Sequence, residues 1–481
     1  MRNDAGPVRL KSALVLVVLK ALVSGAVLAS GFRSVSDDDF ARVVIAQEFA
    51  RAPAWDPSQT SWLPLPFWLN GAAMLLLGRD LWVARGVAVL LGIAATLAVW
   101  VTARWLGASR SGALVGAGLA AAFPYSALLG VATVPEAYAA ALMTLGAAGI
   151  AGNGSQSVRA FAGALALGAA CLCRYEAWPV ALAGAGVLAV RAAKAREAPL
   201  FAAALVAVLP AGLWLLHGKL AFGNAFFFVD RVAAYKHALG GSESWGSALT
   251  RYPFDLFLHE PELLLALCVA VAVVWRAGLR AELARYALFA LMLASIPLFL
   301  TAGALRGGAP THHGERALLA LWFACAVVIG DLVTSAARRF GWRPRARLAA
   351  ALAMAVLAGS LFVRPNVARE TFVDRRYEAE IGTRARAFLS SDGKLAIATN
   401  DFGFFAVVAG LGRPEQTVVL RRHDPRQGEP ALDFEDTERL AQTLRNAGAT
   451  LFAAPREHAP AARRLGSPVA LNARLVLIDL E

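Results

Sequence analysis

The chain has little charge for its length. Only 17% of its 481 residues are Asp, Glu, Lys or Arg, whereas 58% are hydrophobic and the mean hydropathy is +0.55. In a soluble globular domain about a quarter of the residues are charged, so this composition excludes that class. Apolar runs of about 18–22 residues, the length that crosses a bilayer, recur along the chain. The composition therefore predicts a polytopic α-helical membrane protein.

Cysteine is also scarce, with four in the chain. Cys171 and Cys173 end one apolar run, without a second Cys pair or a histidine at ligand spacing, which argues against a zinc or redox motif and favours packing. The net charge of +13 does not indicate nucleic acid as a partner. The basic residues lie in short segments between apolar runs, which is the positive-inside pattern.

The apolar runs predict eleven spans in all. The first, 12–32, follows a basic N-terminus and is longer than the core of a signal peptide, so we interpret it as an uncleaved helix. The shorter segment 63–78 carries two prolines and is typical of a helix in the membrane interface. The other ten spans are predicted at 82–103, 111–131, 136–152, 159–173, 177–190, 199–216, 261–275, 285–303, 316–335 and 347–363.

This topology puts the N-terminus and the basic loops in the cytoplasm. The unusual polar clusters then share the opposite, extracytoplasmic side, at 37–39, 134–138, 174–178, 217–260 and 307–316. Ion-pathway proteins hold their charges near the bilayer midplane, often in broken helices. Charges at helix ends on one side instead favour an active site at the outer membrane surface.

The composition becomes that of a soluble domain after residue 363. Strands predicted at 394–399, 416–421, 449–454 and 474–480 alternate with helices at 367–390, 402–410 and 434–447. The alternation predicts a small α/β domain with a mostly parallel sheet. The chain thus divides into a transmembrane domain, 1–363, with a first outer loop at 33–80, and an extracytoplasmic domain, 364–481.

Three consecutive carboxylates, Asp37, Asp38 and Asp39, follow the first span. Carboxylates next to a membrane are costly unless they face water, an ion or a substrate. Their mutual repulsion favours a raised pKa in one of them, as a general base requires. We expect Asp37 to cap a helix or to be solvated; the alternative for all three is a solvated acidic loop.

Further segments complete a resemblance to a known family. They are Trp62-Leu63-Pro64-Leu65-Pro66-Phe67-Trp68, Gly78 and Ala132-Thr133-Val134-Pro135-Glu136-Ala137. With Asp38-Asp39 they resemble the GT-C superfamily of integral-membrane glycosyltransferases, in particular the protein O-mannosyltransferase and aminoarabinose-transferase types. The resemblance covers most of residues 12–363. The family's His-Pro-Pro is not reproduced, and Glu136 stands where Asp is commoner.

The resemblance implies an inverting transfer of a sugar from a polyprenyl-phosphate donor to a lipid, glycan or protein acceptor. We expect a multi-pass protein of the bacterial inner (plasma) membrane with its site on the extracytoplasmic side, although the sequence leaves the host, and hence periplasm or lumen, open. Asp38 would be the general base, with Asp39 as the second candidate. Glu136 would be the second acidic catalytic position; its alternative role is to stabilise the dipole of the helix that it begins.

Six further residues are candidates for substrate binding: Arg174, Glu176, Lys236, His312, His313 and Arg316. Arg174-Tyr175-Glu176 is similar to an Arg-Tyr-Glu of some such enzymes and would hold the donor phosphate, or else form a structural ion pair. The two histidines and Arg316 would contact phosphate or acceptor. A divalent metal is left open there, and no other cofactor is expected. Lys236 lies in the loop 217–260, a candidate lid over the donor or a plain solvated loop.

Two other classes of function remain alternatives. A transporter or lipid flippase would favour an inverted repeat, and the sequence contains no internal repeat. A non-catalytic scaffold that presents the C-terminal domain to a partner would tolerate changes at Asp38, Glu136 and Arg174. Glycan ligation or polymerisation on the same fold is a third alternative, which only the product distinguishes.

Overall fold

The computed structural model describes residues 10–152, 157–238, 244–276, 278, 280–307, 313–341, 373–399, 401–420 and 432–480. The predicted span 347–363 and the predicted domain boundary at 363 lie outside these ranges. Helices of the N-terminal part are α1 Leu10–Ala29, α2 Asp38–Arg51, α3 Leu65–Leu77, α4 Leu81–Trp105, α5 Arg110–Ala122, α6 Pro124–Leu129, α7 Glu136–Ala151, α8 Ser157–Cys171, α9 Ala177–Ala195, α10 Ala198–Phe222, α11 Phe227–Ala238, α12 Trp245–His259, α13 Pro261–Arg276, α14 Arg280–Ala284, α15 Ala287–Leu305 and α16 Leu319–Arg339.

Five of the described helices are long and apolar enough to cross a membrane. They are α1, α4, α10, α15 and the segment Gly314–Arg339. A sixth results if α12 and α13, which meet at 90°, form one bent span. The chain is a multi-pass membrane protein, as the composition predicts. The number of eleven spans stays a prediction.

Two predictions about the path of the chain were wrong. The span predicted at 111–131 is two helices, because α5 ends at Ala122 and α6 begins at Pro124, which has no backbone N–H to continue the helix. The loop predicted at 217–260 is largely helical, since α10 extends to Phe222 and is followed by α11 and α12. These two helices are much less apolar than the spans, so a search for long apolar runs does not find them.

Lys20 lies inside the first helix and is 1% exposed. Its ammonium group donates to the carbonyls of Ser126 (3.2 Å) and Ala121 (3.4 Å), where α5 gives way to α6. The sequence left open whether this side chain reaches the interface or faces the bundle, and the structure confirms the second alternative. The lysine gives a donor to the carbonyl of Ala121 at the helix break, whereas the carbonyl of Ser126 also accepts from the backbone N–H of Gly130 at 2.9 Å.

The C-terminal domain is a five-stranded sheet with helices. The helices are α17 Arg376–Ala385, α18 Phe404–Leu411, α19 Thr437–Asn446 and α20 Ala459–Ala462, and the strands are β1 Lys394–Ile397, β2 Thr417–Val419, β3 Ala449–Pro455, β4 Ser467–Leu471 and β5 Leu475–Asp479. The strand order is β2-β1-β3-β5-β4. β1 is parallel to β2 and β3, whereas β5 is antiparallel to β3 and β4.

The prediction of a mostly parallel sheet was therefore wrong, although the prediction of a small α/β domain is confirmed. The sequence pattern missed β4, which contains Pro468. Proline cannot donate to a ladder and is tolerated at sheet edges, and β4 is an edge strand. Without β4, nothing in the sequence indicates that β5 runs antiparallel.

Helix α2 lies between the membrane bundle and the C-terminal domain. Phe40, Val43 and Ala46 are buried in one apolar cluster with Met74 of α3 and with Ala406 and Ala409 of α18. The amide of Gln47 donates to the carbonyls of Ala409 (2.9 Å) and Arg79 (3.2 Å). Apolar burial and a hydrogen-bonded amide together fix α2 on two sides.

Close helix packing in the bundle depends on small residues, which predicts the effect of one substitution. A Cβ atom at Gly330 of α16 would lie 2.3 Å from the backbone nitrogen of Gly116 in α5. Backbone cannot move aside cheaply, so Gly330→Ala should lower the free energy of unfolding by about 1–3 kcal/mol. Thermal unfolding in detergent micelles measures this. Gly212→Ala is the control, because no described atom lies within 4 Å of its added Cβ; an equal melting temperature for both variants would contradict the prediction.

Candidate active site

The three consecutive carboxylates at the start of α2 point in three different directions. Helix α2 begins at Asp38, where successive side chains project about 100° apart around the axis. Asp37 turns to the C-terminal domain, Asp39 turns into the protein, and Asp38 keeps 51% of its side chain exposed. The repulsion expected between them is thus relieved by divergence.

Asp39 is a buried connector. Its carboxylate accepts hydrogen bonds from the backbone N–H groups of Val35 (3.0 Å), Ser36 (3.1 Å) and Thr133 (3.0 Å), and from the hydroxyl of Thr133 (3.3 Å). Burial raises the pKa of Asp39 above its usual value, against the opposing effects of Arg316 and of these N–H groups. The residue joins the segment between α1 and α2 to the segment that precedes α7.

Asp37 stands at the N-cap position of α2, but its side chain neither caps the helix nor is fully solvated, so the expectation for this side chain was wrong. Its side chain makes no capping hydrogen bond. Instead the guanidinium of Arg375, just before α17, donates to both of its oxygens, at 2.8 and 3.0 Å. A sequence gap of 338 residues separates this pair, which is why no local pattern indicates it.

Asp38 lies close to a buried arginine, Arg316. One carboxylate oxygen lies 3.7 Å from the guanidinium of Arg316, whose side chain is 4% exposed. The same Arg316 nitrogen lies 4.0 Å from Glu136, the first residue of α7. Arg316 therefore joins the two acidic positions that the motifs single out.

Glu136 also accepts from the guanidinium of Arg174, which donates a second hydrogen bond to Glu176. Both carboxylates are buried. Burial alone would lower the pKa of Arg174, but the charges of Glu176 and Glu136 raise it above its usual value. Stabilisation of the helix dipole is therefore only part of what Glu136 does, since it holds two guanidinium groups at the start of α7.

Sequence reasoning missed a third arginine, Arg42. It lies one turn after Asp38 on α2, and its guanidinium packs over the ring of Trp62 at 4.4 Å from the centroid. Burial lowers its pKa, while the charges of Glu136 and Asp38 oppose that shift. The spacing of four residues from Asp38 places both on one helix face and would have been the signal.

Several guanidinium nitrogens of this cluster are buried without an acceptor among the described residues. They are Nε and Nη1 of Arg42 and Nε and Nη2 of Arg316. Oε2 of Glu136 is likewise buried without a donor from that part of the chain. Orphaned charged donors are costly, so the cluster is suited to an anion that supplies oxygen acceptors.

The remaining candidates are placed less centrally. Nδ1 of His313 lies 3.2 Å from Glu315, which accepts from the hydroxyl of Tyr125 at 2.8 Å. Lys236 is buried in α11, whose Phe228 stacks on Tyr175 at 4.1 Å. His312 lies outside the described residues. The structure thus brings together Asp38, Glu136, Arg174, Glu176 and Arg316, with Asp39 and His313 beside them.

A divalent metal does not fit the described part of this site. No three His, Cys, Asp or Glu side chains of the described residues are grouped as metal ligands. Asp38 and Glu136 face the Arg316 cation at 3.7 and 4.0 Å, and Asp39 is occupied by N–H donors. A metal there would have to displace a guanidinium.

Comparison with solved structures places this arrangement in a known fold. The chain is similar to ArnT from Cupriavidus metallidurans bound to undecaprenyl phosphate, with 15% identity, a TM-score of 0.59 and coverage of 97% of this chain and 98% of ArnT. It is also similar to the oligosaccharyltransferase of Archaeoglobus fulgidus, with 14% identity and a TM-score of 0.54 over 92% of this chain and 69% of the other. Both are GT-C proteins.

The chain has the GT-C fold. No protein-family model and no curated protein sequence matches it, so the likeness is one of structure. The resemblance inferred from Asp38-Asp39, the segment 62–68 and Glu136 is confirmed at the level of the fold. In this GT-C fold the described helix ends that carry Glu136, Arg174 and Arg316 converge on the start of α2.

The different surroundings of two neighbouring acids predict different effects on stability. Asp39→Ala should lower the melting temperature, because each buried N–H left without an acceptor costs about 1–3 kcal/mol and three are affected. Asp38→Asn should leave it unchanged, since that side chain is half exposed. Thermal unfolding of both purified variants checks this. Equal melting temperatures would show that Asp39 does not connect the two segments.

Proposed function

We propose that this chain is a glycosyltransferase that moves a sugar from a polyprenyl-phosphate donor to an acceptor hydroxyl on the extracytoplasmic side of the membrane. The observation that carries the proposal is the proximity of an exposed carboxylate, Asp38, to Arg42 and Arg316, whose guanidinium groups retain buried, unshared N–H groups. Such a transfer requires a general base that the acceptor hydroxyl can reach and, beside it, hydrogen-bond donors that bind the phosphate.

The solved structures of the same fold support the lipid donor. ArnT was solved with undecaprenyl phosphate bound, and AglB from Archaeoglobus fulgidus was solved with an inhibitory peptide and a dolichol-phosphate, at a TM-score of 0.51 and 14% identity over 96% of this chain and 74% of AglB. Both lipids are polyprenyl phosphates. We infer the same class of donor here, in a bacterial plasma membrane.

The proposed reaction is a single displacement. Asp38 takes the proton of the acceptor hydroxyl, whose oxygen attacks the anomeric carbon from the face opposite the phosphate. The bond from that carbon to the phosphate oxygen breaks, and the electron pair leaves with the polyprenyl phosphate. Arg42 and Arg316 donate hydrogen bonds to the departing phosphate as its charge grows. The configuration at the anomeric carbon is inverted.

Glu136 and Glu176 have a supporting role in this reaction. They hold Arg174, and Glu136 also neighbours Arg316, so the two carboxylates fix guanidinium groups that would otherwise repel one another. Fixed donors stabilise developing charge without reorganising during the reaction. We infer that Glu136 positions the phosphate site and that Asp38 acts as the base.

The distribution of basic residues supports an extracytoplasmic site. Gly152, just after α7, lies against Trp105 at the end of α4, so Glu136 and Arg104 are separated by the length of α7. Sixteen helical residues span about 24 Å. Arg104 and Arg110 occupy the end away from the site. By the positive-inside rule that end faces the cytoplasm.

Substitution of the base tests the proposal directly. Purified protein is incubated with a panel of polyprenyl-phosphate sugars, and released polyprenyl phosphate is measured. Asp38→Asn should lower turnover on the order of a hundredfold or more, because general-base catalysis supplies about 10²–10⁴-fold. Glu48→Gln is the matched control, as Glu48 is an exposed carboxylate on the same helix.

Turnover that Asp38→Asn leaves intact would remove Asp38 from the mechanism. Absence of turnover in the folded wild type with every donor of the panel would instead favour a transporter or a scaffold. The identity of the donor that is consumed names the sugar.

The unshared guanidinium N–H groups predict a binding defect. Arg42→Gln should weaken binding of undecaprenyl phosphate by about 10- to 100-fold, because a hydrogen bond to a charged group contributes about 1.5–3 kcal/mol. Ligand-dependent shifts in thermal unfolding give the affinity. Arg51→Gln is the control, since Arg51 is exposed in the last turn of the same helix. Equal affinities for the two variants would exclude Arg42 from the phosphate site.

A further inference from the structure

A buried arginine of the C-terminal domain contacts Asp37, at the start of α2. Arg375 is 7% exposed, and its Nε and Nη2 donate to the two oxygens of Asp37 at 2.8 and 3.0 Å. Asp37 immediately precedes Asp38, the proposed base. This two-bond geometry fixes direction as well as distance, which a single contact would not do.

Arg375 is itself held in place within its own domain. Its Nη1 lies 3.2 Å from Glu378 and 2.7 Å from Asp401. Arg474 donates to the same Glu378 oxygen at 2.9 Å. The guanidinium is therefore oriented by residues of its own domain, independently of Asp37, and is not a flexible surface side chain. We call the contact between Arg375 and Asp37 the clamp.

Asp37, the residue that Arg375 binds, also accepts the first backbone hydrogen bonds of α2. The carbonyl of Asp37 accepts from the backbone N–H groups of Phe40 (3.1 Å) and Ala41 (3.0 Å), which are the first hydrogen bonds of α2. Asp37 lacks a capping hydrogen bond of its own. A second contact lies alongside, where the hydroxyl of Ser34 donates to the carbonyl of Val373 at 2.6 Å.

We propose that Arg375 is a positioning residue for the transfer reaction, acting through Asp37 to fix the first turn of α2 and thereby the carboxylate of Asp38. The inference rests on the proposed function of Asp38. It gives the C-terminal domain a part in catalysis without contact to the substrate. The domain holds the start of α2 on one side through Arg375, and the contact between Asp39 and Thr133 holds it on the other.

The chain offers a matched control for this clamp. Arg79, between α3 and α4, donates to both oxygens of Glu415 at 2.9 and 2.7 Å. This pair also joins the outer loop to the C-terminal domain, yet it does not touch residues 37–41. Arg79→Gln therefore weakens docking of the domain by the same change of side chain and leaves the helix start alone.

The first experiment compares amide hydrogen exchange in residues 37–41 of full-length wild type, Arg375→Gln, Asp37→Asn and Arg79→Gln in detergent. Both changes at the clamp should speed exchange in that segment, and Arg79→Gln should not. If Arg375→Gln folds poorly, Asp37→Asn tests the same contact by changing the other partner. Equal exchange in Arg375→Gln and Arg79→Gln would overturn the proposal whether or not the protein is an active transferase.

The second experiment separates positioning from stability by kinetics. Arg375→Gln should lower kcat on the order of 10- to 100-fold with KM for the donor unchanged, because misplacement of a base affects the chemical step. Arg375→Lys, which keeps the charge without the two-bond geometry, should recover part of that loss. The double variant Asp37→Asn/Arg375→Gln should lose no more than either single variant.

Each kinetic outcome has a distinct meaning. If kcat were equal in Arg375→Gln and Arg79→Gln, or if the losses in kcat were additive in the double variant, Arg375 would only dock the domain and would not position the base. A wild type that turns over no donor would refute the proposed function instead, and the exchange data would then still decide whether Arg375 orders the start of α2.

Discussion

The site depends on the divergence of three adjacent carboxylates. Like charges in consecutive positions cannot share one environment, and a helix start separates them by direction. Asp37 is bound by Arg375, and Asp39 accepts hydrogen bonds from backbone N–H groups. Asp38 is left half exposed beside Arg316. The two outer acids fix the backbone at the middle one, so the exposed carboxylate stands on a turn that is anchored on both sides.

Charge balance explains why three arginines can lie close together with little exposure to solvent. Arg42, Arg174 and Arg316 would repel one another in an apolar surrounding, and Glu136 lies near all three. The unshared N–H groups on Arg42 and Arg316 show that the hydrogen bonding of these guanidinium groups is incomplete, although the carboxylates already balance their charge. An anion with several oxygens would supply the missing acceptors, which is how the proposed lipid phosphate fits this cluster.

Helix ends rather than helix interiors build the site. Glu136 begins α7, Arg174 and Glu176 lie between α8 and α9, and Arg316 precedes α16. Small residues such as Gly116 and Gly330 let the helices approach closely enough for these ends to meet. The C-terminal domain also packs against α2, so this domain and the helical bundle both contact the start of that helix.

The sequence by itself determined the class of protein, most helix boundaries, the α/β character of the last domain and the polar clusters. Composition and apolar run length carry that information locally. Only the tertiary structure decided that Asp37 pairs with Arg375, that Asp39 joins Thr133 and that Arg316 lies near both Asp38 and Glu136. These contacts join residues of different elements, up to 338 positions apart. Local periodicity contains no record of such distances, because they are fixed by how the helices and the sheet pack.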